Sequence, residues 1–102
     1  MREKRFYVYI LTNRYRTVLY TGITNDLERR VAQHRDGRGK AFTARYRVRD
    51  VVYYETFGEP LLAIAREKEI KGWRRDRKLA LIRSTNPDLR TLTPWADTGD
   101  AA

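Results

Sequence analysis

An unbroken run of large apolar and aromatic residues close to the N-terminus is the feature that most limits how this chain can fold. The run spans residues 6–11 and reads Phe-Tyr-Val-Tyr-Ile-Leu, a composition typical of a largely buried strand. A polar turn at residues 12–16 follows, and residues 18–21 favour a second short strand that Gly22 ends. Because so few residues separate the two strands, we predict that they pair as an antiparallel hairpin.

The segment after this hairpin carries the signals of a helix start. Asn25 is a favoured N-cap residue, and Glu28, three positions later, can close a capping box. We therefore predict a helix over residues 26–35. A short helical turn is expected over residues 41–46, after a loop marked by glycines.

The second half of the chain predicts one more strand and two more helices. Residues 51–57 are rich in Val and Tyr, as expected of a strand, and Pro60 suits the first turn of a helix that reaches about residue 73. A further basic helix is predicted over residues 75–84, because the Asn-Pro pair at 86–87 stops it.

This order of elements predicts an α/β fold, a small sandwich in which helices flank a three-stranded antiparallel or mixed sheet. The 102 residues suffice for one domain of this kind and exclude a second full domain. We assign the domain to residues 1–94 and expect a flexible tail at residues 95–102, where small and acidic residues predominate.

Two residue counts exclude whole classes of site. The chain has no cysteine, which excludes disulfides, thiolate zinc sites and cysteine nucleophiles, and its single histidine excludes a cage of several histidines. Any metal ion must therefore be held by oxygen ligands. The N-terminal apolar stretch is too short for a signal peptide or a membrane span, so we expect a cytoplasmic protein.

The net charge indicates a polyanionic partner. Lys and Arg number 22 against 13 Asp and Glu, which gives a formal net charge of +9. Residues 29–49 hold eight basic residues and one acidic residue, and residues 66–83 hold eight and three, so the two clusters carry +7 and +5. Nucleic acid is favoured over an anionic membrane surface, because neutralised phosphates release their counterions.

The hairpin also carries two short motifs at a characteristic separation. Residues 7–9 read Tyr-Val-Tyr, and residues 20–22 read Tyr-Thr-Gly on the second strand. Together they resemble the paired motifs that name the GIY-YIG nuclease family, above all its small stand-alone, excinuclease C-like bacterial members. The similarity covers roughly residues 6–90 and continues in order through residues 24–34, 42–43, 52–55 and 66–73.

The chain departs from the family pattern at three positions. Tyr7 stands where the first motif usually has Gly, and Thr21 stands where the second usually has an aliphatic residue. Both changes affect strand packing more than reacting groups. Ile23 occupies a position where the excinuclease branch often has Lys, so lysine-assisted activation of water is excluded there.

The resemblance implies a nuclease that hydrolyses phosphodiester bonds, with DNA as the expected substrate and Mg²⁺ or Mn²⁺ as the cofactor. It implies Tyr20 as the general base or water-positioning group and Tyr9 as its supporting partner. It places the phosphate-clamping arginine at Arg30, a proton-transferring or phosphate-contacting group at His34, and the metal ligand at Glu67. A phenol beside arginines and a divalent cation is expected to have its ionised form favoured.

The arginine assignment can be weighed against the helical periodicity. Leu27 and Val31 form an apolar stripe on the predicted helix, and Arg30 shares a face with His34 one turn later. This spacing favours Arg30, with the neighbouring Arg29 as the alternative.

The glutamate assignment conflicts with the periodicity. The family motif selects Glu67, which Ile70 follows three positions later. A helical wheel, however, points Glu69 further inward than Glu67. The wheel rests on the apolar residues Leu62, Ala65, Ile70 and Trp73. We follow the motif and keep Glu69 as the competing ligand.

The basic clusters are expected to hold nucleic acid through its backbone, because no helix-turn-helix or zinc-finger signature is present. The candidate backbone contacts are Arg29, Arg35, Lys40, Arg45, Lys71 and Arg74. Interleaved aromatic side chains that could stack on unpaired bases are Phe42, Tyr46 and Trp73. The alternative is a nucleic-acid-binding module with little activity alone, or one that needs a partner subunit for targeting.

Overall fold

The described part of the chain forms one three-stranded sheet. The structure is a computed structural model that describes residues 5–37 and 41–95. Its strands are β1 (Phe6–Thr12), β2 (Leu19–Thr24) and β3 (Asp50–Phe57), in the spatial order β2-β1-β3. The central strand β1 pairs antiparallel with both neighbours, which confirms the predicted hairpin and makes the sheet antiparallel rather than mixed.

Strand β2 is longer than the sequence predicts. Gly22 was expected to end it, but pairing continues to Thr24, with Gly22 opposite Tyr9 and Ile23 opposite Val8. Glycine inside a strand often marks a place where another group approaches the backbone closely. Here the approaching group is the side chain of Tyr9, so the strand is not interrupted at Gly22.

The described residues form the helices α1 (Leu27–Arg35), α2 (Ala41–Arg45), α3 (Pro60–Lys71) and α4 (Arg75–Thr85). These bounds lie close to the predicted ones. Pro60 begins α3, where its missing N–H costs no hydrogen bond.

The N-terminus of α1 is capped one residue later than predicted. Asp26, not Asn25, is the N-cap, and its carboxylate accepts a hydrogen bond from the backbone N–H of Arg29 at 3.2 Å. Glu28 therefore lies one position too early to close a capping box. Asp and Asn are almost equally good caps, so the sequence signal could not separate the two neighbours.

Helices cover both faces of the sheet, which confirms the predicted sandwich. Successive side chains of β1 point to opposite faces, so the strand contributes to both cores. On one face the buried cluster consists of Val8, Ile10, Val52, Tyr53, Ala63, Ile70, Ile82 and Leu89. On the other it consists of Tyr9, Leu11, Leu27, Val31, Val48 and Val51. Helices α3 and α4 thus pack on the first face, and α1 packs on the second.

The segment after α4 returns along the outer edge of β3. The buried side-chain amide of Asn86 donates to the carbonyl oxygen of Val52 at 3.0 Å. Further on, the backbone N–H of Leu92 donates to the carbonyl oxygen of Val51 at 2.7 Å. These bonds attach the segment to the exposed side of β3 and bring Leu92 to the α1 face of the sheet.

Two sequence expectations concern the end of the chain and membranes. Trp95, the first residue of the predicted tail, packs against the core on the α1 face. The rest of that tail, residues 96–102, lies outside the described residues, and the domain boundary at residue 94 stays a prediction. Within 5–37 and 41–95, no helix is long and apolar enough to cross a membrane.

Candidate active site

The phenol of Tyr9 lies against the backbone of Gly22 at the edge of the sheet. The two residues pair across β1 and β2, and a Cβ atom on Gly22 would collide with the phenol oxygen and the Cζ atom of Tyr9. Tyr9 is only 1% exposed. Because Gly22 has no side chain, the phenol oxygen of Tyr9 can lie over the edge strand, and the other predicted site residues gather around it.

His34 reaches this phenol from α1. It is buried, with Nε2 3.4 Å from the Tyr9 hydroxyl and Nδ1 2.9 Å from Oγ1 of Thr43 on α2. The ring of Tyr20 meets the imidazole edge to face, with 5.7 Å between ring centroids. His34 is therefore a buried part of the site and not a surface residue of α1.

The electrostatics of Tyr9 bring three more predicted residues into the same site. Burial is the main cause that raises the pKa of Tyr9 above its ordinary value near 10. The charge of ionised Tyr20 raises this pKa further, the guanidinium of Arg30 lowers it, and the carboxylate of Glu67 raises it. Such effects require short distances inside a protein. Tyr20, Arg30 and Glu67 thus act electrostatically on the phenol that His34 contacts, with Arg30 on α1 and Glu67 on α3.

The protein groups around Tyr9 do not by themselves favour an ionised phenol. Arg30 does act in that direction, but loss of water around the buried ring outweighs it. Tyr9 is therefore a neutral phenol, able to donate a hydrogen bond. Tyr20 is more accessible, since it is only partly buried.

Helix α3 gives the two candidate glutamates different surroundings. Ala63, Glu67 and Ile70 are its buried residues, whereas Glu69 is exposed and pairs with Arg66 at 2.8 Å. The helical-wheel expectation that Glu69 points further inward is wrong. The wheel was oriented by Leu62 and Ala65, and both are exposed on α3.

Glu67 is paired with a residue that was predicted to contact nucleic acid. The Lys71 ammonium lies 2.5 Å from Oε2 of Glu67, one helical turn away. This ion pair compensates the charge of a carboxylate whose side chain is 11% exposed. Lys71 therefore lies beside Glu67, while 46% of its side chain stays exposed, and its contact with nucleic acid stays a prediction.

Glu67 is suited to a metal ion that takes few protein ligands. Among the residues that the structure describes, no group of three or more His, Cys, Asp or Glu side chains is placed to hold a metal. A single carboxylate with water and phosphate completing the shell is a normal arrangement for magnesium. The donor set thus fits the cofactor that the resemblance implies.

Comparison with known proteins identifies the family. The family model described as the GIY-YIG catalytic domain matches residues 5–80. The chain belongs to the GIY-YIG nuclease family. Membership implies a nuclease domain that acts on nucleic acid.

The similar proteins are small, and the chain spans most of their length. The UPF0213 protein of Staphylococcus saprophyticus is 38% identical over 78 residues, covering 76% of this chain and 94% of that protein. The UPF0213 protein of Natronomonas pharaonis is 41% identical over 76 residues, covering 74% and 88%. The solution structure of a UPF0213 protein from Bacillus halodurans superposes with a TM-score of 0.52 at 31% identity, covering 82% and 88%.

The second motif of this GIY-YIG protein departs from the family pattern at Thr21, and the departure leaves a buried hydroxyl without a hydrogen bond. Thr21 is 3% exposed, and its hydroxyl is the one buried side-chain oxygen or nitrogen without a hydrogen-bond partner among the described residues. An aliphatic residue, which the family usually has there, would have no such group to satisfy. The substitution affects packing behind the site and leaves the reacting groups of Tyr9 and Tyr20 in place.

The other predicted nucleic-acid contacts are distributed around the site. Arg29, Arg35, Arg45 and Arg74 are exposed, and Lys40 lies outside the described residues. Arg29 and Arg30 together line a pocket of about 470 Å³ at the start of α1. Its remaining lining residues are Thr24, Asn25, Asp26 and Gln33. This pocket places a second guanidinium beside the arginine of the site.

The three aromatic residues predicted to stack on bases fall into two groups. Trp73 packs against the core, and its ring is covered by the guanidinium groups of Arg77 at 4.1 Å and Arg66 at 5.2 Å. It is not available as a stacking surface, contrary to the expectation. Phe42 and Tyr46 are each 45% exposed, Phe42 stacks on Tyr20, and Tyr46 packs against Phe42.

Sequence reasoning missed two residues that shape the site. Thr43 contacts Nδ1 of His34, and Gly22 makes room for Tyr9. Both belong to segments that carry the family resemblance. Nothing in the spacing alone, however, indicated that Thr43 is buried beside the imidazole or that a phenol covers Gly22.

Proposed function

We propose that this protein is a metal-dependent endonuclease that hydrolyses phosphodiester bonds in DNA and recognises structure rather than base sequence. The observation that carries the proposal is a buried phenol on which four other groups of complementary chemistry act by contact or by charge, which makes five residues in all. They are Tyr9, Tyr20, Arg30, His34 and Glu67.

The two tyrosines divide the proton chemistry. Tyr9 is buried and neutral, so its hydroxyl donates a hydrogen bond and holds a neighbouring group in position. Tyr20 is more accessible and is the group that positions the attacking water and accepts its proton. The imidazole of His34 lies between two hydroxyls, with Nε2 3.4 Å from that of Tyr9 and Nδ1 2.9 Å from that of Thr43, so a neutral ring donates through one nitrogen and accepts through the other.

Arg30 supplies the fixed positive charge. Its guanidinium is always protonated and can bind two phosphate oxygens at once. Its electrostatic effect on Tyr9 and its place in the pocket at the start of α1 support this role. A phosphate held by Arg30 would sit between α1 and the phenols, where charge develops as the phosphodiester bond breaks.

Glu67 is the residue that would hold Mg²⁺ or Mn²⁺. A bound divalent ion supplies positive charge at the phosphate and makes the leaving oxygen easier to expel. The carboxylate comes from α3, on the face of the sheet opposite α1. The Lys71 ammonium lies on Oε2 of Glu67, so a cation held by this carboxylate would compete with its charge.

Recognition of DNA through its backbone follows from the charge. Exposed arginines lie on α1, on α2 and at the start of α4, and the chain has a net charge of +9. Contacts between guanidinium groups and phosphates carry no direct sequence information. We therefore expect steep salt dependence and weak sequence preference.

The test is a cleavage assay on labelled single-stranded, duplex, flapped and branched DNA and the matching RNAs, with Mg²⁺, with Mn²⁺ and with a chelator. We expect metal-dependent cleavage of at least one of these DNA structures. Tyr20→Phe, which removes one hydroxyl from a partly buried side chain, should lower cleavage by orders of magnitude with little change in melting temperature. Cleavage that is unaffected by Tyr20→Phe, or by the chelator, would contradict the proposed mechanism.

One observation favours a second candidate function. The charge of Glu67 is already compensated by Lys71, as expected of a domain that binds nucleic acid without a metal and needs a partner subunit to act. Under this alternative the protein binds the same substrates, but neither Mg²⁺ nor Mn²⁺ induces cleavage. The same assay, run with binding measured in parallel, separates the two functions.

A further inference from the structure

A row of aromatic rings leads outward from the candidate active site. The ring of Tyr20 stacks on Phe42, with 6.2 Å between centroids and 27° between planes, and Phe42 contacts Tyr46 at 4.9 Å. We call these three side chains the aromatic row. Phe42 on α2 and Tyr46 just after it leave nearly half of their surfaces exposed. Exposed apolar side chains that cluster in this way often mark a binding site.

The row ends at a pocket with strongly basic walls. This basic pocket has a volume of about 480 Å³ and shares Tyr46 with the aromatic row. Its other lining residues are Asn13, Arg14, Tyr15, Arg47, Arg49 and Asp50. Asp50 is paired with Arg16 at 2.7 Å, so the acidic side chain of the pocket is already neutralised.

Charge and ring chemistry together define what fits this path. The guanidinium of Arg45 lies over the Tyr46 ring at 5.5 Å, and three more arginines line the pocket beyond it. Alternating rings and cations suit a chain of aromatic bases joined by phosphates. The faces of paired bases are occupied by their neighbours in a duplex, so rings of this kind stack on unpaired bases.

We propose that the aromatic row and the basic pocket bind an unpaired strand that continues from the phosphate held at Arg30. Its bases stack on Phe42 and Tyr46, and its phosphates contact the arginines of the pocket. The inference rests on the proposed function, because Tyr20 is where the row meets the reacting groups. It assigns the substrate class as nucleic acid with unpaired nucleotides on one side of the cleaved bond.

Binding without metal tests the inference separately from catalysis. Fluorescence anisotropy with chelator present would compare a labelled oligothymidylate with a duplex of the same length. Phe42→Leu and Tyr46→Leu keep an apolar side chain but remove the ring, and each should weaken single-strand binding on the order of tenfold. Duplex binding should change less than about twofold, since the arginines remain. Tyr46→Phe keeps the ring and should restore wild-type affinity.

Matched variants elsewhere on the surface control for loss of exposed apolar area. Tyr54 is 38% exposed on β3 and belongs to neither the row nor the pocket, so Tyr54→Leu should leave both affinities unchanged. Replacing Arg14 or Arg49 by Ala should weaken the salt dependence of single-strand binding. The slope of the logarithm of the association constant against the logarithm of the salt concentration should become shallower by about 0.7 for each phosphate that the variant no longer neutralises. Melting temperatures of all variants would verify that they fold.

Three results would overturn the inference. If the variants lose equal affinity for single strand and for duplex, the row is a general contact. If Phe42→Leu and Tyr46→Leu fold and lose no affinity, the row does not take part in binding. If the wild type sediments as a dimer and both variants sediment as monomers, the row is occupied by a second copy of this chain. Single-strand binding through the row without any cleavage would instead leave this site standing and contradict the proposed nuclease function.

Discussion

The phenol of Tyr9 occupies the space that a side chain at Gly22 would need. Gly22→Ala should therefore push the ring away from His34 and disturb the site as well as the packing. Overfilling a well-packed site usually costs about 1–3 kcal/mol. We expect a lower midpoint of urea unfolding by this amount and a loss of cleavage larger than the loss of folded protein explains.

Gly58 provides the matched control for that substitution. A Cβ atom there would meet nothing within 4 Å, and its backbone is not in the left-handed region. Gly58→Ala should leave both stability and cleavage nearly unchanged. If the two substitutions change stability and cleavage equally, the contact between Tyr9 and Gly22 is not the reason for the effect of Gly22→Ala.

The elevated pKa of Tyr9 predicts a loss of stability in alkali. A folded-state pKa above the unfolded value near 10 means that the folded protein holds the proton more tightly. The stabilisation is therefore complete below about pH 10 and is lost as the pH rises towards the folded pKa. Burial, assisted by the hydrogen bond to Glu55, also raises the pKa of Tyr53, to about 12.

Urea unfolding at several alkaline pH values would measure this effect. Each buried phenol contributes up to about 1.4 kcal/mol per pH unit above pH 10. Tyr9→Phe and Tyr53→Phe should each flatten the fall in unfolding free energy, and the double variant should flatten it most. The exposed Tyr15 supplies the control, Tyr15→Phe. An unchanged slope in Tyr9→Phe would contradict the buried, neutral state of this phenol.

The unsatisfied hydroxyl of Thr21 predicts a stabilising substitution. Thr21→Val replaces a buried group that lacks a hydrogen bond by a methyl group of similar shape, so the free energy of unfolding should rise by about 1 kcal/mol. The hydroxyl of Thr12 is equally buried but donates to the carbonyl oxygen of Val18 at 2.7 Å. Thr12→Val should therefore destabilise, and the opposite signs in urea unfolding check the hydrogen-bond assignment.

The arrangement of the sandwich could be predicted because it depends on local patterns. The apolar run that forms β1, the proline that begins α3 and the Asn-Pro pair after α4 each act within a few residues. The extension of β2 past Gly22 could not be predicted, because it depends on a ring from the neighbouring strand. Local signals were also unable to choose between Asn25 and Asp26 as the cap of α1.

The composition of the site was predictable from the family resemblance, but its internal contacts were not. The resemblance selected Glu67, and the fold gives the reason, since Glu67 shares the buried face of α3 with Ala63 and Ile70. The guanidinium groups over Trp73 come from Arg66 on α3 and Arg77 on α4, so this contact depends on the turn between the two helices. The ion pair between Glu67 and Lys71 is the exception, because its i,i+4 spacing was visible.

The arginine assignment predicts unequal effects of two neighbouring residues. Arg30→Ala should lower kcat on the order of a hundredfold or more, because a positioned charge beside the reacting phosphate is lost. Arg29→Ala should mainly weaken binding, since the side chain of Arg29 is exposed, whereas Arg30 is partly buried. Arg30→Lys keeps the charge without the planar fork and should fall between them. Equal losses of kcat in the two alanine variants would indicate general electrostatics.

The ion pair on α3 predicts how the protein responds to metal. Lys71→Met removes the ammonium that competes for Glu67, so half-maximal cleavage should need several-fold less Mg²⁺, and Mg²⁺ should raise the melting temperature more than in the wild type. Glu67→Gln removes the charged ligand and should abolish both the cleavage and the thermal response to Mg²⁺. Glu69→Gln is the control, because Glu69 pairs with Arg66 at the surface, and this variant should leave both readouts unchanged.

If Glu69→Gln removes the thermal response while Glu67→Gln keeps it, the metal ligand lies on the other side of α3. If Lys71→Met changes neither the Mg²⁺ requirement nor the thermal response, the lysine does not compete with the metal for this carboxylate.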